Sequence, residues 1–200
     1  ARELRAAFKN TNDPNYQAMK DWEISVCDYG STDSKWDDSA LFDAKVYDQI
    51  MIMGYHYGAP SYVSFANGKK NLTQQGAAKA FSNNQITVGV GTWGAGVDPD
   101  GNGPLTKPPT VSLPSIIAQV PNLPYDQLSY TGTIGSSTGT WNIESRKQVR
   151  EKTQFALDNG MPGTFTWTLH YDATDKFSLH RDMHHYTMVK RDIPDLDLNG

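Results

Sequence analysis

Four short apolar runs divide the chain: Trp22 to Cys27, Asp48 to Tyr55, Gln85 to Trp93, and Gly163 to Thr168. They are rich in Ile, Val, Met, Thr and Trp, side chains that fit a pleated surface, so each is predicted to be a strand. None alternates apolar and polar residues as a sheet wetted on one face does. Near-continuous hydrophobicity instead suits parallel strands covered on both faces.

Between the runs the spacing turns helical. Ala1 to Lys9 places Leu4, Ala7 and Phe8 at i, i+3 and i+4, and Leu72 to Phe81, led by Asn71, puts Ala77, Ala78 and Phe81 on one side. Ser145 to Asn159 is the clearest helix. Val149, Thr153, Ala156 and Leu157 form its stripe, Arg146, Lys147, Arg150, Glu151 and Lys152 occupy positions expected to be exposed, and Asn159-Gly160 supplies a left-handed stop. A last helix is expected from Ser178 to Val189. Strand and helix thus alternate, the pattern of right-handed βαβ crossovers in a parallel sheet. Residues 94–140 break the rhythm: crowded with Gly, Pro, Ser and Thr, they read as one elaborated loop with a short helix around Ser112 to Gln119.

In alternating α/β folds ligands sit at the carboxyl ends of the strands. The residues there are Asp28 and Tyr29, then Tyr55, His56 and Tyr57, then Trp93, then Trp167, His170, Tyr171 and Asp172. Aromatic faces gathered at one mouth, with few charges among them, suit the apolar faces of sugar rings, whose hydroxyls the His, Asp and Tyr groups would meet.

Charge changes the picture only by exclusion. A net charge of -4 leaves no basic stripe for phosphate, which argues against nucleic acid. The single cysteine, Cys27, excludes a disulfide framework and, in WEISVC, reads as a buried thiol. No run approaches a membrane span, and the opening ARELRAAF reads as a helix within a longer polypeptide. Asn71-Leu72-Thr73 fits a glycosylation triplet, and Asp195-Leu-Asp197-Leu-Asn199-Gly200 has the cadence of a calcium loop or of an acidic linker. Asp98-Pro-Asp100-Gly-Asn102-Gly103 reads as a turn. His180 and His184 lack the Glu of a metal motif and read as helical surface. Glu144 and Arg146 read as serving the dipole and solvated face of the Ser145 helix.

Three segments carry a resemblance. YDQIMIMGYHYG resembles the sixth strand of glycoside hydrolase family 18, with its M-x-Y-[DN] motif, and ITVGVGTWGAG resembles the seventh. SRKQVREKTQFALDNGMPGTFTWTLHYDATDKFSLHRDMHHY is similar to the family's close: a helix ending K-x-x-x-A, G-x-[MF]-x-W on strand eight, an acidic loop and a final helix. The resemblance implies an α/β fold of parallel βα repeats, strands five to eight of a (β/α)8 TIM barrel. Residues 1–192 would form this C-terminal half barrel and residues 193–200 a linker, leading in one reading to a following module.

The family's D-x-x-D-x-D-x-E signature, whose Glu is the proton donor, is absent from the sequence. What the resemblance carries over is the substrate side of a mechanism in which the glycan's own acetamido oxygen attacks the anomeric carbon. Tyr55 is the expected catalytic residue, polarising the acetamide. Trp167 is the floor under the sugar, Met53 packs beneath it, Trp93 lines the pocket, and Asp28, Tyr29, His56 and Tyr57 complete the expected binding set. His56 stands where the family prefers Asp or Asn, which replaces a fixed charge by an imidazole. No cofactor and no metal are implied, and the expected compartment is secreted, extracellular or periplasmic.

Three functions compete. The first is hydrolysis of N-acetylglucosamine-containing glycans, chitinase or endo-β-N-acetylglucosaminidase type, with this chain as the substrate-binding half. The second is a non-catalytic glycan-binding relative, which His56 favours. The third is a self-contained α/β protein of four βα units, disfavoured because a half barrel exposes two edges and half its core. The expected partners are the glycan and either the missing N-terminal half or a self-associated copy.

Overall fold

A computed structural model describes residues 1–28, 45–56, 80–98 and 108–188. Its centre is a sheet of four strands in sequence order: β1 (Ser25–Asp28), β2 (Gln49–Ile52), β3 (Ile86–Gly91) and β8 (Gly163–Trp167). Each neighbouring pair is parallel, with Val26 opposite Ile50, Ile52 opposite Val88, and Gly91 opposite Trp167. The four apolar runs therefore hold the four parallel strands, each shorter than its run, with β1 reaching one residue beyond its run to Asp28.

The outward positions Ile50, Ile52, Ile86 and Val88 are buried together with Phe81, Ala156 and Met161. Ala156 belongs to α4 (Arg146–Asp158), which covers this face. Each fully buried aliphatic side chain here contributes on the order of 2 kcal/mol. Ser145 caps the helix, its hydroxyl accepting from the Gln148 amide at 3.0 Å. At the other end Gly160 (φ 67°) donates to Leu157 O and Met161 to Ala156 O, a paired closure that needs the left-handed residue the sequence supplies. Helix α5 (Leu179–Met188) packs on α4. Val90, Val149, Phe177, Leu179 and Met183 share a second core. Helix α1 (Arg2–Phe8) lies at the start of the sheet, where Arg5 binds Val46 O and pairs with Asp48, whose carboxylate also accepts from the Ile24 amide. A short α2 (Tyr16–Met19) follows it.

The described residues 93–98 and 108–142 do more than loop. They build a second, antiparallel sheet of β4 (Trp93–Gly96), β5 (Val111–Ser112), β6 (Ser129–Ile134) and β7 (Ser137–Asn142), ordered β5-β4-β7-β6. The short helix expected near Ser112 is present as α3 (Leu113–Ile117). Trp141 is wholly buried with Ile116 and Ile143, stacks on Tyr130, and donates its indole N–H to Pro109 O at 2.7 Å. On the opposite face of the hairpin, Thr131 meets Thr140 and Thr133 meets Thr138, hydroxyl to hydroxyl, at 2.8 and 2.9 Å. Only Thr92 separates β3 from β4, so the two sheets share one continuous strand path.

Cys27 is exposed, not buried. It sits on the sheet's edge strand, and its register partner Met51 is only half-buried, so the face it shares lacks the cover that α4 gives the other. Most of the helix expected over Leu72 to Phe81, and all of residues 193–200, lie outside the described residues. No helix among the described residues is long and apolar enough to cross a membrane.

Candidate functional site

The outward packing of Ile86, Val88 and Val90 fixes the direction of the residues between them. Thr87, Gly89 and Gly91 face the other side of the sheet. Two glycines there make room for large side chains. A Cβ on Gly89 would lie 2.7 Å from the Tyr55 ring and 3.0 Å from Phe165, and one on Gly91 would lie 3.1 Å from the His56 ring and 3.2 Å from Trp93. Close approach of aromatic rings to bare backbone is what the sequence Gly-Val-Gly provides.

On these glycines rests an aromatic cluster at the carboxyl ends of β2, β3 and β8. The Trp93 ring centroid lies 4.9 Å from both Tyr55 and His56, edge to face, and Tyr55 lies 6.2 Å from Phe165. Such pairs contribute about 0.5–1.5 kcal/mol each beyond their buried area. Trp167 follows Phe165 by two residues, so strand periodicity puts it on the same face, opposite Gly91 and one step nearer the rim. It is 61% exposed, and its peptide bond to Thr168 is cis.

The structure thus brings Tyr55, His56 and Trp93 together and sets Trp167 on their face, with half-buried Met53 just before them. Met53 donates its amide to Asp28 O at 2.7 Å, continuing the β1–β2 pairing. Asp28 itself is buried and pairs in register with Ile52, which places it on the helix-covered side. Tyr29 and Tyr57 lie outside the described residues. Asp172, at the end of the fourth run, is engaged elsewhere. Its carboxylate accepts from the amides of Ala173, Leu179 and His180 and from the Ser178 hydroxyl, anchoring the start of α5. His170 and Tyr171 pack on each other in a 3-10 turn beyond the strand, and His180 and His184 are exposed on α5.

Beneath the cluster is an ion pair that the sequence did not announce. Glu144 and Lys152, expected on a solvated face, are both buried, Lys152 at 0% exposure. Lys152 Nζ donates to Glu144 Oε1 at 2.5 Å, to Gly54 O at 2.6 Å and to Gly89 O at 3.1 Å, so three acceptors match the three ammonium protons. Glu144 Oε1 also accepts from the amides of His56 (2.6 Å) and Gly91 (3.3 Å). Arg146 is likewise turned inward, its fork on both oxygens of Asp182 at 2.7 and 3.1 Å.

Burial depresses the Lys152 ammonium below its ordinary value, and the Glu144 carboxylate opposes that shift. Burial, reinforced by the positive charge of Lys152, pulls His56 down to about 3, so its imidazole is neutral near pH 7. His56 is 1% exposed and adopts a left-handed backbone (φ 56°), a conformation that is costly for a residue with a Cβ. The short bond from its amide to Glu144 holds it there. No group of three or more metal-ligating side chains is present among the described residues.

No family model and no curated protein sequence matches the chain. Solved structures do. A glycoside hydrolase family 18 chitinase from Flavobacterium johnsoniae superposes with a TM-score of 0.60 at 18% identity, over 86% of this chain and 52% of its own. A chitinase-like agglutinin from Robinia pseudoacacia gives 0.59 at 15% identity, over 92% and 60%. A family 18 chitinase from Cycas revoluta, solved in complex with (GlcNAc)3, gives 0.52 at 15% identity, over 92% and 57%. The chain spans less than two thirds of the length of each. The fold is accordingly that of the family 18 chitinases, and the parallel sheet is a partial (β/α)8 barrel carrying strands five to eight.

Proposed function

From this fold and its aromatic mouth, we propose that the chain is the substrate-binding half of a secreted hydrolase of N-acetylglucosamine-containing glycans. The observation that supports it is the convergence of Tyr55, Trp93 and Phe165 on the bare backbone of Gly89 and Gly91, with Trp167 open on the same face. An exposed indole beside a buried aromatic wall suits the apolar face of a pyranose ring, and one phenol among them can donate to an amide carbonyl.

In the substrate-assisted mechanism the acetamido carbonyl oxygen forms a bond to the anomeric carbon as the glycosidic bond breaks. A carboxylic acid protonates the departing oxygen. Tyr55 would donate to the acetamido carbonyl and keep that oxygen aimed at the anomeric carbon, an orientation whose loss is worth about 10²-fold in rate. No D-x-x-D-x-D-x-E signature is present in the sequence, so this scheme takes its proton donor from outside these 200 residues.

A second reading is glycan binding without turnover, and the likeness to an agglutinin favours keeping it in view. Calorimetric titration of the chain with the N-acetylglucosamine trimer tests the site. Binding should fall at least about tenfold in Trp167→Ala, and absence of any binding to the unaltered chain would sink both readings. Hydrolysis of a chromogenic N-acetylglucosaminide by the chain joined to its acid-bearing partner separates them. Under the hydrolase reading Tyr55→Phe lowers kcat by about two orders of magnitude, while under the binding reading no turnover is seen at all.

A further inference from the structure

The Lys152–Glu144 pair touches the backbone at four places, and their arrangement is specific. Lys152 Nζ holds Gly54 O, which belongs to the peptide group just before Tyr55, and Glu144 Oε1 holds His56 N–H, which belongs to the peptide group just after it. Peptide groups are planar, so fixing the two on either side of a Cα fixes φ and ψ there and with them the direction of the Cα–Cβ bond. The same two side chains hold Gly89 O and Gly91 N–H, the peptide groups on either side of Val90. Gly89 is the floor on which the Tyr55 ring lies, and Gly91 that on which the His56 ring lies. One buried ion pair therefore fixes both the aim of Tyr55 and the surface beneath it.

We infer that Lys152 and Glu144 are positioning residues for the aromatic mouth, locking the Gly54–His56 turn in register with Gly89–Gly91. As a role in glycan recognition this rests on the function proposed above; as a statement about the turn it stands on the hydrogen bonds alone. Neither side chain reaches solvent, so neither touches a ligand, and their influence passes through Tyr55, His56 and Trp93. The left-handed backbone at His56 is consistent with a turn held from outside itself.

The test compares Lys152→Met and Glu144→Gln with Arg146→Met, which removes the other buried ion pair of α4 without touching the turn. Hydrogen–deuterium exchange of the full chain is read on peptides spanning residues 54–56 and 89–91, and the N-acetylglucosamine trimer is titrated into each variant. In the two pair variants both peptides should exchange about tenfold faster, relative to a peptide spanning Ser129–Ile134 of the same protein, than in the unaltered chain, and trimer affinity should fall about tenfold. Arg146→Met should leave that ratio and the affinity close to those of the unaltered chain. Acceleration of the reference peptide by the same factor, or the same ratio in Arg146→Met, would overturn the inference, because the pair would then act only through global stability. So would fast exchange with undiminished trimer affinity, because the turn would then not matter to binding. If the unaltered chain binds no trimer, the proposed function fails, and the exchange pattern still decides whether the pair locks the turn. Should Lys152→Met not fold, Glu144→Gln carries the comparison, since it keeps the side chain's size but turns the charge-assisted bonds to Lys152 and to the amides of His56 and Gly91 into weaker neutral ones.

Discussion

Helix α4 carries two buried ion pairs, and they join different things. Arg146, in the first turn, lays a planar fork on both oxygens of Asp182 and so clamps α4 to α5. It also lies 6.0 Å from the Tyr125 ring centroid, and the side chains of the pair keep a sliver of solvent, 11% and 8%. Lys152, six residues on, is fully enclosed and spreads three protons over Gly54, Gly89 and Glu144, acceptors from three different parts of the chain. A guanidinium matches one carboxylate; a compact ammonium can gather scattered backbone carbonyls. The first pair holds helix to helix, and the second holds the helix to the strand ends where the aromatic residues lie.

The largest expected effect breaks one pair and then the other. Lys152→Met strands Glu144 in a closed interior and should cost about 3–5 kcal/mol in urea unfolding. Arg146→Met leaves Asp182 near the surface, where water can reach it, and should cost about 1–2 kcal/mol. Equal losses would mean that the two sites are not differently enclosed. Next in size, Gly89→Ala attacks the same neighbourhood from the strand side. Its Cβ would stand 2.7 Å from the Tyr55 ring and 2.9 Å from Ile52 O, a backbone atom that cannot swing aside. The expected cost is about 1–3 kcal/mol from overpacking, accompanied by weaker trimer binding as the Tyr55 ring is displaced. Unchanged binding in a folded Gly89→Ala protein would separate Tyr55 from the glycan.

How much of this was legible in the sequence depends on which force decides each position. The four parallel strands were readable because burial on both faces leaves an unbroken apolar run, while their sequential order was implied by the resemblance to the family 18 barrel. The antiparallel sheet was not. SYTGTI and STGTWN do alternate, but the outward residues are Thr and the tight hairpin needs Gly and Ser, so the composition reads as loop. Lys152 is the instructive miss. Its spacing, three residues after Val149 and four before Ala156, lies on the buried stripe, while its charge argues for solvent. The spacing prevails only because Glu144 waits eight residues upstream, before the cap, a distance that helical pair rules do not cover. Cys27 went the other way: an apolar run predicts burial only when something covers both faces. At the mouth, Tyr55, His56, Trp93 and Trp167 could be named from strand ends, whereas Phe165 enters through a period of two along β8 and the glycine floor through close approach, neither of which a motif reports.

The smallest and most specific effect is a change in slope. His56 sits beside the Lys152–Glu144 pair with its pKa pulled from 6.5 to about 3, by burial first and by the Lys152 charge second. In the unfolded chain the imidazole takes up a proton as pH falls through about 6.5, while in the folded chain it does not until about 3. The unfolded state therefore binds more protons across that interval, and stability, complete above it, declines as pH drops, at a rate approaching about 1.4 kcal/mol per pH unit. His56→Asn removes the titration and keeps a residue that tolerates the left-handed backbone. Urea unfolding of both proteins between pH 7 and pH 5, above the range where carboxylates protonate, should show the decline in the original and a nearly level line in the variant. Arg146→Met, acting at the other pair, should lower the whole curve and leave its slope alone. A variant as acid-sensitive as the original would show that His56 is reached by water, and that the enclosure distinguishing the strand-end pair from the helix clamp does not extend to the turn it holds.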